Sequence, residues 1–310
     1  MKVLITGGAG FLGSHLAERM LAAGNEVLVI DNYETGRRDN LSPADGLEVV
    51  EGSIVDAAIV DEAFDRFKPE VVAHAAASYA DPDNWTGDVN TNALGTANVV
   101  RAAQRNGTGR IVYFQTALCY GTTPLEQPIT LNHPIRPDSS YAISKTAGEQ
   151  YIELSGIPFV SMRLANAYGP RNLSGPLPTF FHRLTEGKPC FVADTRRDFV
   201  YVDDVVDVFA MAMTGTGSGH YHLSSGSDEA IKDVFDAALS ALEITLDEPV
   251  EVRPRGEDDA YTILLDPSRI QADFGWSPKT PLVDGAASAI AWYRENGITQ
   301  TYTHLKLDDQ

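Results

Sequence analysis

Two cysteines, Cys119 and Cys190, are all that the 310 residues contain. That is too few for a disulfide framework and fits a reducing cytoplasm. Long apolar runs are also missing, and none approaches the roughly 20 residues of a membrane span. The chain opens on Met-Lys-Val-Leu-Ile-Thr, a strand pattern, so no secretory leader is expected. Basic residues are scarce: 24 Lys and Arg face 43 Asp and Glu, for a formal net charge of −19. Such a surface repels nucleic acid and anionic membranes, which argues against both as partners. A phosphorylated ligand would need a local pocket built from a few arginines and helix amino-termini. Internal repeats and low-complexity tracts are absent. The remainder, 43% hydrophobic and 22% charged residues, is ordinary for a soluble globular protein.

The hydrophobic pattern alternates between strand and helix periods. Residues 3–6 read as a buried strand, 13–23 as a helix stopped at Gly24, and 26–30 as a second strand. Residues 71–75 and 110–115 read as further strands. This alternation implies an α/β fold, a Rossmann-like doubly wound parallel sheet with ligands at the carboxyl ends of its strands. Regularity fades after Gly169, where Pro170, Gly175, Pro176 and Pro178 interrupt the chain. Residues 198–202 read as a strand returning to the main sheet, and 228–242 and 284–295 as helices. The expected division is a dinucleotide-binding domain over residues 1–169, with sheet-returning segments near 198–222. Residues 170–310 would mainly form a smaller α/β substrate-binding lobe.

Gly7, Gly10 and Gly13 follow the first strand and open the helix. Glycines there permit a tight turn and close approach of a pyrophosphate to free helix amides. A turn with no ligand has the same spacing. Asp31, ending the second strand, adds a carboxylate suited to ribose hydroxyls and hostile to a 2′-phosphate, which favours NAD over NADP. Arg37 and Arg38 lie close enough to offer the opposite choice, but Asp31 stands at the strand end itself.

Tyr141 and Lys145 are four residues apart, on one helical face. A lysine cation there can hold a tyrosine below its free pKa of about 10, making it a proton acceptor for alcohol oxidation. Cys119 reads as a small core residue, since no histidine partner accompanies it. His220 and His222 lie in a strand-like His-Tyr-His with no acidic or cysteine partner at ligand spacing, so no metal is expected.

Seven motifs occur in order: Thr6-Gly-Gly-Ala-Gly-Phe-Leu-Gly13, Asp31-Asn-Tyr-Glu-Thr-Gly-Arg37, His74-Ala-Ala-Ala77, Asn92-Ala-Leu-Gly-Thr96, Tyr141-x-x-x-Lys145, Arg163-Leu-Ala-Asn-Ala-Tyr-Gly-Pro170 and Arg197-Asp-Phe-Val-Tyr-Val-Asp203. Together they resemble the extended short-chain dehydrogenase/reductase family, specifically its nucleotide-sugar epimerases and dehydratases. The stretch Phe-Gln-Thr-Ala-Leu-Cys-Tyr-Gly, residues 114–121, resembles hexuronic-acid epimerases of bacterial surface-polysaccharide pathways.

The resemblance implies roles at matching positions. Tyr141 takes the proton of the sugar 4-hydroxyl, Lys145 bonds the nicotinamide ribose, and Thr116 binds the same sugar oxygen. Thr116 also reads as a strand-end hydroxyl satisfying local backbone. Cofactor contacts fall on Gly7, Gly10, Phe11 and Leu12, then on Asp31, Asn32, Tyr33 and Gly36. Others fall on Ser53, Ile54, Ala75, Ala76, Ala77 and Asn92, with Tyr168 as the aromatic beside nicotinamide. Ser53 departs from the aspartate that touches adenine in many relatives. On the substrate side, Asn166 matches a diphosphate contact, Leu177 lines the sugar-nucleotide site, and Arg197 meets a phosphate. Alternatively, Arg197 is a surface residue paired with Asp198. The family's Arg-Pro-Gly-Asp/Glu motif is altered to Arg253-Pro-Arg255-Gly-Glu257, leaving either Arg253 or Arg255 as a second phosphate partner. Asp258 and Asp259 read either as ribose contacts or as solvated loop charges. Arg171 is available for a C6 carboxylate if the sugar is a uronic acid.

Positions 117 and 118 bear on the reaction. Dehydratases of the family carry an acid pair there, whereas this chain has Ala117 and Leu118, neither able to move a proton. The expectation is therefore an NAD-dependent nucleotide-sugar 4-epimerase acting through a 4-keto intermediate on a UDP-hexuronate or UDP-hexose. Dehydration, C2 epimerisation, net oxidation or reduction at the same site, and an NAD-sensing scaffold are the alternatives. The resemblance also implies a homodimer packed through residues 92–106 and 146–155.

Overall fold

A computed structural model of the chain describes residues 1–256, 259–298 and 300–302. Its first half runs β1 (Lys2–Thr6), α1 (Phe11–Ala22), β2 (Glu26–Asp31), β3 (Leu47–Glu51), α2 (Ala57–Phe67), β4 (Val71–His74), α3 (Trp85–Asp88), α4 (Thr96–Asn106), β5 (Arg110–Thr116), α5 (Ser140–Ser155) and β6 (Phe159–Leu164). Between α3 and α4 the helix widens to π geometry over Val89–Gly95. The second half continues with β7 (Asn166–Tyr168), α6 (Pro176–Thr185), β8 (Phe191–Ala193), β9 (Arg196–Arg197), β10 (Phe199–Tyr201) and α7 (Val202–Met213). It ends with β11 (Gly219–Leu223), β12 (Glu229–Ala230), α8 (Ile231–Leu242), β13 (Glu251–Arg253), α9 (Ser268–Phe274) and α10 (Leu282–Asn296).

Seven parallel strands form the main sheet in the order β11-β6-β5-β4-β1-β2-β3. Its inner strands β1, β4 and β5 are buried on both faces, as parallel strands covered by helices must be, whereas the edge strand β3 is partly exposed. Val3, Ile5, Val27 and Val29 face one core together with Leu16 of α1 and Val208 of α7. Leu4, Leu28, Ile30 and Val72 face the other, against Phe64 of α2 and Val99 of α4. The first core continues into Phe180, Phe235 and Ile290 of α6, α8 and α10. The chain turns one way from β1 to β2 and returns to β4 on the other side, which opens a crevice at the carboxyl ends of β1 and β4.

One expected strand behaves differently. Residues 198–202 do not rejoin the main sheet: β10 pairs in parallel with β7 in a separate two-stranded ribbon, and the edge position goes to β11. Asp198 explains the divergence. It is fully buried, accepting from the Ser224 hydroxyl at 2.5 Å and from the Ser225 amide at 3.0 Å, which pins the entry to β10 beyond the end of β11. Two further ribbons, β9 with β12 and β8 with β13, complete the carboxyl-terminal part. Among the described residues, no helix is long and apolar enough to cross a membrane.

Candidate active site

A cavity of about 470 Å³ occupies the crevice. On the amino-terminal side its floor is the glycine loop. Gly7 has φ +68°, and a Cβ there would sit 2.7 Å from the Ala76 backbone, so β1 and β4 can approach only through glycine. Gly10 caps α1 and has no side chain, which leaves the first-turn amides of Phe11, Leu12 and Gly13 facing the cavity as donors for an anion. Asp31 is buried at the end of β2, where its carboxylate accepts from the Ala9 and Tyr33 amides at 2.8 Å each. Burial pushes its pKa up, while those two amides work against the rise. Arg37 is held by Asp39 and the Gly297 carbonyl, and Arg38 by Glu51, so both guanidinium groups have partners away from a 2′-phosphate position. Asn32, Gly36, Ser53, Ile54, Ala75, Ala76 and Ala77 line the same end. These donors and the orienting carboxylate fit a dinucleotide.

The opposite wall carries the reactive groups. Ser139 caps α5 by accepting from Ala142 N at 3.2 Å, and the first turn then brings Tyr141 and Lys145 to the cavity beside Thr116 at the end of β5. The Thr116 hydroxyl accepts from Leu118 N at 3.2 Å and also faces Tyr141, so it serves the local turn and the site together. Lys145 is buried, with its ammonium 4.1 Å from the Tyr113 ring centroid, and burial lowers its pKa to about 7 against an upward pull from Glu149. Below this wall, Glu149 is paired with Arg163 at 2.9 Å, and Arg163 donates to Tyr120 at 2.7 Å. Tyr120 in turn lies 2.6 Å from His222 Nε2. This chain of buried polar contacts ties α5, β6, the turn after β5 and β11 into one rigid support.

The tyrosine's acidity runs opposite to the expectation. Burial, with added repulsion from Tyr79 and Asp88, pushes the Tyr141 phenol up, and only Thr116 pulls it down. Lys145 sits over Tyr113 and is itself driven towards neutrality, so burial outweighs its charge.

On the carboxyl-terminal side, Asn166, Tyr168, Leu177 and Arg197 line the cavity. Arg197 pairs with Asp259 at 2.5 Å and donates to the Ala260 carbonyl at 2.9 Å. Its partner is therefore Asp259, not the neighbouring Asp198.

Several expected residues lie elsewhere. Arg171, at φ +69°, turns from the cavity onto α1, where it pairs with Glu18 at 2.6 Å and Ser14 at 3.1 Å. Arg255 is exposed and donates to the Asp259 carbonyl at 2.6 Å, and Arg253 stacks 4.0 Å from the Phe191 centroid, both off the cavity wall. Tyr33 is covered by Arg38 at 4.0 Å outside the wall. Asn92 is buried behind it, donating to Ser78 O and Ser144 Oγ at 3.0 Å, and so holds the loop after β4 against α5. Asp258 falls outside the described residues. Cys119 is a core residue as expected, in the turn Ala117–Tyr120; burial pushes its thiol up to about 12. His220 does meet acids: Glu153 at 2.7 Å and Glu149 at 3.7 Å. Glu149 is already held by Arg163 and Ser161, so the cluster continues the buried polar contacts beneath α5.

The cavity also contains residues that sequence reasoning passed over. Arg183 and Cys190 reach it from α6 and the segment after it, and Gly175 and Pro176 present the start of α6. Glycine before proline at a helix start was a legible signal; Arg183, in the last turn of a helix, offered none.

Residues 3–223 match the family model "NAD dependent epimerase/dehydratase family". A solved structure of the Bordetella bronchiseptica enzyme WbmH in complex with NAD+ is 53% identical, with TM-score 0.94, covering 96% of this chain and 99% of that one. WbmG of the same organism, in complex with NAD and UDP, is 47% identical with TM-score 0.91, covering 98% of each chain. A UDP-glucose 4-epimerase of Mycolicibacterium smegmatis is 33% identical over 95% of this chain and 99% of its own. With a fitted dinucleotide crevice and these matches over nearly the whole length, the chain belongs to the NAD-dependent epimerase/dehydratase family.

Proposed function

We propose that this protein is a nucleotide-sugar 4-epimerase that uses NAD catalytically on a UDP-sugar. The observation that carries this reading is the convergence of Thr116, Tyr141 and Lys145 on one cavity wall, with Ala117 and Leu118 in place of an acid pair. Bound NAD supplies the reversible oxidation that no side chain here can perform. Tyr141 takes the proton from the sugar 4-hydroxyl and later returns it to the same oxygen, while Thr116 holds that oxygen in place. Between the two transfers the 4-keto sugar must turn over in the cavity, so nothing is consumed overall. The Arg197 guanidinium, which lines the cavity although Asp259 offsets its charge, and the amino-terminus of α6 are the groups placed to receive a diphosphate. Uridine as the base is supported by the UDP bound to WbmG. A hexuronate loses its residue-level support, because Arg171 is committed to Glu18.

The protein would act as a homodimer. Val89 and Leu94 of the π segment and Ile143, Tyr151 and Leu154 of α5 are exposed apolar side chains, 55%, 46%, 55%, 45% and 81% accessible. They lie on segments that pack against each other, the kind of patch a subunit interface covers.

Incubation with UDP-glucose, UDP-galactose and their uronates, followed by proton NMR of the anomeric signals, tests the reading. The expected result is interconversion of C4 epimers without net NADH. A 4-keto-6-deoxy product, or stoichiometric NADH, would overturn it.

A further inference from the structure

Strand β4 stops at His74, opposite Tyr113, while β5 runs on to Thr116 beside β6. The β4-facing edge of β5 is therefore unpaired over its last residues, and its backbone groups need other partners. Gln115 supplies one. The Thr116 amide donates to Gln115 Oε1 at 2.8 Å, and Gln115 Nε2 donates to the Lys145 carbonyl at 3.2 Å. One partner is a donor and the other an acceptor, so only one orientation of the side-chain amide satisfies both. Gln115 lines the cavity and is 2% exposed, so losing either bond leaves a polar group buried and unsatisfied. Tyr113 donates to the same Lys145 carbonyl at 3.0 Å, but Gln115 holds Thr116 as well.

We propose that Gln115 is a positioning residue for the reaction: its amide ties the backbone of Thr116 to that of Lys145 and so sets how far the β5 hydroxyl stands from the reactive pair on α5. Tyr141 lies one turn before Lys145 on that helix, so a shift at Lys145 carries Tyr141 with it. The inference rests on the proposed reaction, in which Thr116 and Tyr141 meet the same sugar oxygen. Proton transfer there requires heavy atoms within about 2.6–3.2 Å, and a misplacement of about 1 Å costs about 10²-fold in rate. The tie has strict chemical requirements. Asparagine is one methylene shorter, and a carboxylate can accept from Thr116 but has nothing to donate to Lys145.

The test is Gln115→Glu, which keeps the shape and changes the donor. As a neutral acid the new side chain can make both bonds; once ionised it can only accept. Epimerisation of UDP-glucose and of UDP-glucuronate by the NAD-loaded enzyme is followed between about pH 5 and 9, a range that spans the raised pKa of a buried glutamate. The kcat is expressed relative to the unaltered enzyme, so that limbs common to both cancel. That ratio should approach one at the acid end and fall by about 10- to 100-fold as the carboxyl ionises, with KM for the sugar unchanged. Gln115→Met, similar in shape but lacking both bonds, should show the loss at every pH, and it serves if Gln115→Glu does not fold. A purely structural role predicts lower urea midpoints with kcat close to that of the unaltered enzyme throughout. That result, or a loss confined to KM, overturns the role of Gln115 and leaves the proposed function standing. If the unaltered enzyme instead oxidises the sugar with stoichiometric NADH, the function is overturned, and the same ratio read on NADH formation decides Gln115.

Discussion

Tyr141 shows how far a residue's chemistry depends on what surrounds it. The phenol is raised by burial, and Lys145 is pulled down to about 7 by the same cause, so burial disfavours the charged form of both members of the pair. Tyr141→Phe should lower kcat by about 10²- to 10⁴-fold while NAD binding, followed by fluorescence quenching, stays unchanged. Lys145 also predicts a stability trend for the apoenzyme. Its pKa is about 7 folded and near 10.4 unfolded. Below pH 7 both states carry the proton and the burial cost is fully felt. Between pH 7 and about 10 the unfolded chain binds a proton that the folded chain does not, so this group makes stability rise with pH, by at most about 1.4 kcal/mol per unit. Urea unfolding at pH 7 and pH 9 should show that rise in the wild type and a flatter response in Lys145→Met.

At the scale of elements, α5 matters most, because it carries the proton-transferring pair and half of the buried ion pair beneath it. It approaches its neighbours through Gly148, where a Cβ would lie 2.7 Å from both the Asn92 carbonyl and the Tyr113 hydroxyl. Gly148→Ala should therefore push the helix outward, costing about 1–3 kcal/mol in urea unfolding and lowering kcat as Tyr141 and Lys145 shift. Gly156 ends the same helix at φ +72° with nothing within 4 Å of its missing Cβ. Gly156→Ala should cost about 1 kcal/mol of backbone strain and leave kcat unchanged. A matching loss of kcat in both variants would contradict the view that close packing, not stability, sets the site.

At the scale of the molecule, the exposed apolar stripe on α5 predicts assembly. Leu154, 81% accessible, is the position to charge: on the proposed dimer, the unaltered chain should sediment as a dimer and Leu154→Asp as a monomer with an unchanged circular dichroism spectrum. The alternation of strands and helices, the glycine loop, Asp31 and the Tyr141-Lys145 spacing were all legible from the amino-acid order. They depend on φ angles, free amides and side-chain periods, which act within a few residues. The path of residues 198–202 was not legible, because Asp198 is anchored by Ser224 and Ser225 from the end of another strand. Which arginine faces the ligand was equally hidden: Arg171 is claimed by Glu18 and Arg183 is brought in by α6. Nor did the order of residues reveal the burial that outweighs Lys145. Local backbone chemistry thus determined the fold class and the cofactor. Charge partners and acidities were set by long-range approach and burial, which exist only once the chain has folded.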